Sequence, residues 1–194
     1  MIAVPHYISP KDYLDIERDN PIRHEYRRGL VYAMVGGTDN HDRITFNLLK
    51  LIDNHFGDPA ACRFYSGNVK VNYQDDFYYY PDAFVTCDPR DGQRPALEGH
   101  RDDRYIKRYP KLIAEVLSTS TRVFDSGEKF EDYKRLESLE EYVLISQDNQ
   151  QVDCRRRTSA NTWETIVYKV GDRVMLNSID LEFAIAELYR GLDG

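Results

Sequence analysis

The feature that most restricts this chain is a pair of short apolar runs separated by a helical segment. The first extends from about Lys111 to Ser118 and contains Ile113-Ala114-Glu115-Val116-Leu117. The second is Tyr142-Val143-Leu144-Ile145, and the stretch from about Ser126 to Leu139 between them reads as a helix. Continuous apolar runs of this length suit strands covered on both faces. Two such strands joined through a helix make a βαβ unit, hence a parallel pair with a right-handed crossover. The expected class is therefore α/β, a mixed central β-sheet flanked by helices.

Other elements gather around that unit. Ser9-Pro10 is placed to cap a short helix running to about Glu17. Segments ending at Tyr26 and starting at Leu30 read as a hairpin about Gly29. Thr38 caps an expected long helix through about His55, because Ile44, Leu48, Leu51, Ile52 and Phe56 recur at helical spacing and Gly57-Asp58-Pro59 ends it. Two strands are expected about Gln74-Asp75-Asp76, the second being Phe77 to Val85, and a charged loop follows from Asp88 to about Asp103. Strands near Val152 to Arg157, Trp163 to Tyr168 and Val174 to Leu176 read as an antiparallel C-terminal extension, closed by a helix from Leu181 to Leu188.

Composition narrows the partners. With 194 residues, the chain fits a single domain, 1–194, able to close its own core. No stretch approaches the roughly 20 apolar residues that span a bilayer, and the N-terminus shows no basic leader before an apolar segment, so the expected location is cytoplasmic, with no membrane partner. Three cysteines, Cys62, Cys87 and Cys154, are far apart and odd in number, which predicts free thiols rather than a zinc site or a disulfide framework. A net charge of −7 opposes phosphate binding over the whole surface. Local basic groups remain, at Arg101, Arg104, Lys107, Arg108 and Lys111 and at Arg155-Arg156-Arg157, each also readable as a solvated face or strand end.

Glu115 is the anomaly in the first run. A lone buried carboxylate costs on the order of several kcal/mol unless a cation or a proton accompanies it. Pro81-Asp82 is the second irregularity, since Pro inside a strand donates nothing to the ladder and marks an edge or a bulge, where side chains are re-aimed. Two carboxylates converging from neighbouring strands form a hard-oxygen site of the kind Mg²⁺ prefers.

Pro81-Asp82 followed by Glu115-Val116-Leu117 resembles the PD-(D/E)XK nuclease superfamily. More closely, HEYRRGLVYAM, the helix carrying His41, YYPDAFVTCD, IAEVLSTSTRVFDSGEKFEDYKRL and EEYVLI together resemble the Uma-type family of restriction endonucleases, from about Tyr13 to about Leu188. The resemblance implies a restriction-endonuclease-like core and hydrolysis of phosphodiester bonds with Mg²⁺ or Mn²⁺. Asp82, Glu115 and the carbonyl of Val116 would hold the metal. Nucleic acid is the implied partner, DNA ahead of RNA, with a homodimer as an assembly open to the chain.

The superfamily carries a lysine two residues after the acid, on the same face of the strand. Here that position is Leu117. Asp125, Lys129 and Tyr133 follow at helical spacing, so Lys129 is the candidate to bring an ammonium to the vacated place, with Asp125 and Tyr133 positioning it. Its bland alternative is a stem packed beside Phe130 and Leu136 with the charge in water. Glu25 and His41 match accessory family positions: Glu25 as a second acid or as a hairpin residue paired with Arg23 or Arg27, His41 as a phosphate or proton group or as a helix-end hydrogen bonder. His6, His24, His55 and His100 have no ligand-like company. Two other functions stay open at this level, a non-catalytic binding or scaffold protein and a hydrolase of small phosphorylated substrates.

Overall fold

The computed structural model describes residues 7–34, 36–57, 61–92 and 105–192. Arg101, Arg104, His6, His100 and most of the Asp88–Asp103 loop lie outside the described residues. In chain order the elements are α1 (Pro10–Asp19), β1 (His24–Arg27), β2 (Leu30–Ala33), α2 (Asp39–Phe56), β3 (Arg63–Ser66), β4 (Lys70–Tyr73) and β5 (Phe77–Tyr79). Then come β6 (Ala83–Thr86), β7 (Ile106–Lys107), β8 (Leu112–Leu117), α3 (Arg122–Ser126), α4 (Glu128–Tyr133) and β9 (Glu141–Ser146). The chain ends with β10 (Gln151–Arg157), β11 (Trp163–Lys169), β12 (Arg173–Leu176) and β13 (Leu181–Ala184).

A six-stranded mixed sheet, ordered β11-β10-β9-β8-β6-β3, forms the centre, and β8 and β9 are its parallel pair. A five-stranded sheet, β2-β1-β5-β4-β7, packs beside it, and β12 and β13 make the antiparallel C-terminal hairpin. Alternation along β8 separates two cores. Ala114 and Val116 face α2, where Ile44, Leu48 and Ile52 join Val174, Leu176 and Phe183 of the terminal hairpin. Ile113 and Leu117 face the other way, into Phe130 and Tyr133 of α4 and Val71, Phe77 and Tyr79 of the smaller sheet. Glu115 shares that second face. A third cluster, Tyr13, Tyr26, Tyr78 and Ile106, seats α1 on the outside of the five-stranded sheet.

Thr38 caps α2 through its hydroxyl, which accepts from the His41 N–H, and Ser9 does the same for α1 from Asp12. Among the described residues no helix is long and apolar enough to cross a membrane.

Three expected elements need correction. The strand expected from Phe77 to Val85 is two strands in two sheets: β5 ends at Tyr79, and β6 starts at Ala83. Pro81 has no N–H to continue the ladder, and the Tyr80 N–H is taken by the Glu25 carboxylate at 2.9 Å, so the chain leaves one sheet for the other between them. The expected helix from Ser126 to Leu139 starts earlier and breaks at Gly127, whose φ of −111° and ψ of −99° are not helical. A side chain there would sit 2.9 Å from the Val123 carbonyl oxygen, which leaves room only for glycine. The expected terminal helix is β13 followed by a single 3₁₀ turn. Leu181 and Phe183 point inward while Glu182 is exposed, a period of two that prevails over a pattern also readable as helical.

The cysteine expectation is also overturned. Cys62 and Cys87 form a disulfide, and Cys154 is the buried free thiol. Strand β3 pairs antiparallel with β6, Arg63 opposite Thr86, so the two cysteines fall opposite each other one step further along. Cysteine counting does not reveal a pairing that depends on β3, a strand with no place in the sequence reading. The arginine run is neither a patch nor a solvated strand end. Arg156 pairs with Glu141, Arg155 donates to the Ser126 carbonyl, and Arg157 donates to the carbonyls of Leu139, Lys134 and Leu136.

Candidate active site

Where the chain crosses between sheets, the β6–β8 ladder ends at Ala83 opposite Ala114. One residue further, Asp82 stands opposite Glu115, and their side chains replace the ladder. The Val116 N–H donates to Asp82 Oδ2 at 2.7 Å, and the Asp82 N–H donates to Glu115 Oε2 at 3.3 Å. Each carboxylate is thus held by backbone belonging to the other's strand. Val116, expected to offer its carbonyl, contributes its N–H to this arrangement.

Lys129 enters from α4. Its Nζ lies 2.9 Å from Glu115 Oε1, 3.1 Å from Glu25 Oε1 and 3.5 Å from Asp125 Oδ1, with the residue only 4% exposed. The Tyr133 hydroxyl donates to Glu115 Oε1 at 3.3 Å, and the Tyr79 ring lies 5.4 Å from the ammonium. His41, in the first turn of α2, places Nε2 3.0 Å from Asp82 Oδ2. So Asp82, Glu115, Lys129, Glu25, His41, Asp125 and Tyr133 converge on one place. Lys129 does not extend into water, and Glu25 pairs with Lys129 rather than with Arg23 or Arg27. His41 and Asp82 are the partly open members, which puts the solvent side of the cluster at this pair.

Charge is unbalanced here. Three carboxylates, from Glu115, Glu25 and Asp125, lie against one ammonium, and a fourth, Asp82, stands beside Glu115 with His41 as its basic partner. Burial pushes the Glu115 carboxyl well above its usual range; Lys129 opposes the shift while Asp125, Asp82 and Glu25 reinforce it. Burial alone would lower Lys129, yet Glu115, Glu25 and Asp125 hold it well above the ordinary lysine value, so it stays charged. The hydrogen bond to Asp82 raises His41 against partial burial.

Among the described residues no group of three or more His, Cys, Asp or Glu stands close enough to hold a metal ion. The donor chemistry nonetheless fits a small divalent cation. Asp82 and Glu115 offer hard carboxylate oxygens side by side, and the surplus negative charge would be offset by a bound cation.

Sequence reasoning missed the groups behind the site. Tyr79 and Asp132 are fully buried beside Lys129, and the Tyr80 N–H fixes Glu25. Asp132 follows Lys129 by three residues on one short helix, and that spacing was the available signal.

Comparison with known proteins adds the family. The model described as "Uma2: Putative restriction endonuclease" matches residues 10–186. The chain belongs to the Uma2 family. Two Synechocystis proteins are similar to the chain over most of its length. The uncharacterized protein slr1290 is 38% identical over 188 residues, 95% of this chain and 93% of that protein, and the uncharacterized protein sll1609 is 30% identical over 163 residues, 84% and 88%. A crystal structure of "a putative nuclease belonging to DUF820" from Anabaena variabilis superposes with a TM-score of 0.76 at 18% identity, covering 94% of this chain and 97% of that one. That likeness extends to the fold, the restriction-endonuclease-like arrangement of a mixed sheet flanked by helices.

Proposed function

We propose that this Uma2 protein is a metal-dependent nuclease that hydrolyses phosphodiester bonds in nucleic acid, DNA ahead of RNA. The observation that carries the reading is the Lys129 ammonium 2.9 Å from Glu115, delivered by α4 into the space that Leu117 leaves without a charge. Asp82 and Glu115 would hold Mg²⁺ or Mn²⁺. When bound, such an ion supplies a Lewis acid that acidifies a water and offsets charge building on the phosphoryl oxygens. Lys129 donates to the attacking water or to the developing negative charge, and its raised pKa keeps the proton in place for that task. Glu25 and Asp125 orient the ammonium, and Tyr133 holds the Glu115 carboxylate from behind. His41, at the open side, is placed to meet a substrate phosphate or to carry a proton outward.

The test is direct. Purified protein is incubated with single- and double-stranded DNA and RNA in Mg²⁺ or Mn²⁺, then with EDTA. Metal-dependent cutting should vanish in Asp82→Ala and in Glu115→Ala, and wild-type cutting by both variants would remove the site from the mechanism. Lys129→Ala should retain Mn²⁺ binding by calorimetry and lose turnover by about 10²- to 10³-fold. Mn²⁺ binding without cutting of any nucleic acid by the wild type would favour a non-catalytic binding protein instead.

A further inference from the structure

A lysine carried at position 117 would be fixed by the β8 ladder itself. Lys129 has no such support. Helix α4 has only six residues, follows a break at Gly127 and has no side-chain cap, so it has little stability of its own. Something else must hold its lysine at the required depth.

Asp132 is the group that holds it. Asp132 is 1% exposed and accepts from Arg27 Nε at 2.7 Å, from the Tyr79 hydroxyl at 2.7 Å and from an Arg28 Nη2 at 2.8 Å. Arg27 also pairs with Glu128, so it grips α4 on both sides of Lys129. Glu25 and Arg27 lie on the same face of β1. One meets the Lys129 ammonium, and the other meets the helix that carries it. Tyr79 repeats the pattern from β5, with its hydroxyl on Asp132 and its ring beside the ammonium. Burial and the Asp132 carboxylate raise the Tyr79 phenol, so it remains a donor.

We propose that Asp132 is a positioning residue of the site: by gathering Arg27, Arg28 and Tyr79 it sets α4 at the depth where Lys129 reaches Glu115 and Glu25. The catalytic consequence rests on the nuclease reading above; the positional one does not. A displacement on the order of 1 Å at a reacting centre costs about 10²-fold in rate. The loss should therefore appear in kcat, not in KM.

Two readouts decide it. In the first, pulse acylation with acetic anhydride is followed by mass spectrometry of wild type and Asp132→Asn. Lys129 should become several-fold more reactive while Lys70, a second buried lysine on β4, stays as protected as in the wild type. Equal Lys129 labelling overturns the proposal, and so does a matching rise at Lys70, which would report general loosening. In the second, steady-state cleavage is measured around a cycle of Asp132→Asn and Lys129→Ala. Asp132→Asn should lower kcat about 10²-fold with KM unchanged, and add no further loss once Lys129 is gone. A loss of the same factor in both backgrounds overturns the role. If Asp132→Asn fails to fold, Tyr79→Phe keeps the ring, deletes one donor and should give both patterns at smaller amplitude. A wild type that cuts nothing defeats the nuclease reading, while the labelling still decides the positioning.

Discussion

Two glutamates lie buried on neighbouring parallel strands, Glu141 at the start of β9 and Glu115 near the end of β8, and their surroundings differ in one respect. Glu141 faces Arg156 directly across the β9–β10 ladder, with Arg156 Nε 2.8 Å from Oε1. The Ser178 N–H and hydroxyl donate to Oε2 at 3.1 and 2.9 Å. One anion meets one cation, and both oxygens are occupied. Glu115 instead shares a single ammonium with Glu25 and Asp125, with Asp82 alongside. Burial of an ion pair is common to both ends of the strand pair. Surplus charge distinguishes the candidate site, and it falls at the carboxyl ends of the parallel strands, where ligand clefts form in α/β sheets.

That contrast yields its largest effect in stability. Glu141→Ala leaves the partly buried Arg156 without its anion and the Ser178 donors without their acceptor, and should cost about 3 kcal/mol in urea unfolding. Glu115→Gln relieves an overcrowded set of carboxylates and should cost under about 1 kcal/mol while abolishing the proposed cutting. Equal costs would erase the distinction between the closed pair and the open one.

A smaller effect concerns protons and metal. Burial and its acidic neighbours push the Glu115 carboxyl up, against the opposing Lys129, so a divalent cation that takes its carboxylate below that raised value must release a proton. Mn²⁺ affinity should then weaken as pH falls below the raised Glu115 value, by up to about tenfold per pH unit for one proton. Calorimetry in two buffers of different ionisation heat measures the proton directly. The same heat in both buffers, with an affinity that does not change on lowering the pH, would mean that Glu115 is not a ligand.

The sequence made this end of the molecule readable because the chemistry there is tied to irregularities. Pro81 interrupts a strand, Glu115 interrupts an apolar run, and Leu117 leaves an expected lysine position empty. The closed pair was unreadable for the same reason. Glu141 also begins an apolar run, but its partner Arg156 is set by a cross-strand register that residue order does not disclose. The Asp132 clamp was hidden in a helix segment whose charges look solvent-facing until β1 and β5 are laid against it. The βαβ core followed from patterning alone, whereas the switch of sheets at Pro81 and the strand at Leu181 were decided by which neighbours remained to be covered.

The smallest effect lies at the open edge of the cluster. The His41 ring packs against Gly37, where an added Cβ would sit 2.8 Å from Nδ1, and its Nε2 reaches Asp82. The hydrogen bond to Asp82 raises its pKa in the folded protein, against partial burial. A raised folded pKa gives a stabilisation that is complete below the unfolded value, about 6.5, and is lost as pH rises through the folded value. Measured in EDTA, the stability difference between wild type and His41→Gln should therefore shrink on going from about pH 6 toward alkaline pH, starting from no more than about 1 kcal/mol. Glu115, also raised, makes both proteins lose stability in the same direction, so only the difference isolates the histidine. A difference that grew with pH would mean a neutral ring facing Asp82, and the cluster's second cation would then be absent even at the edge where its charge imbalance meets solvent.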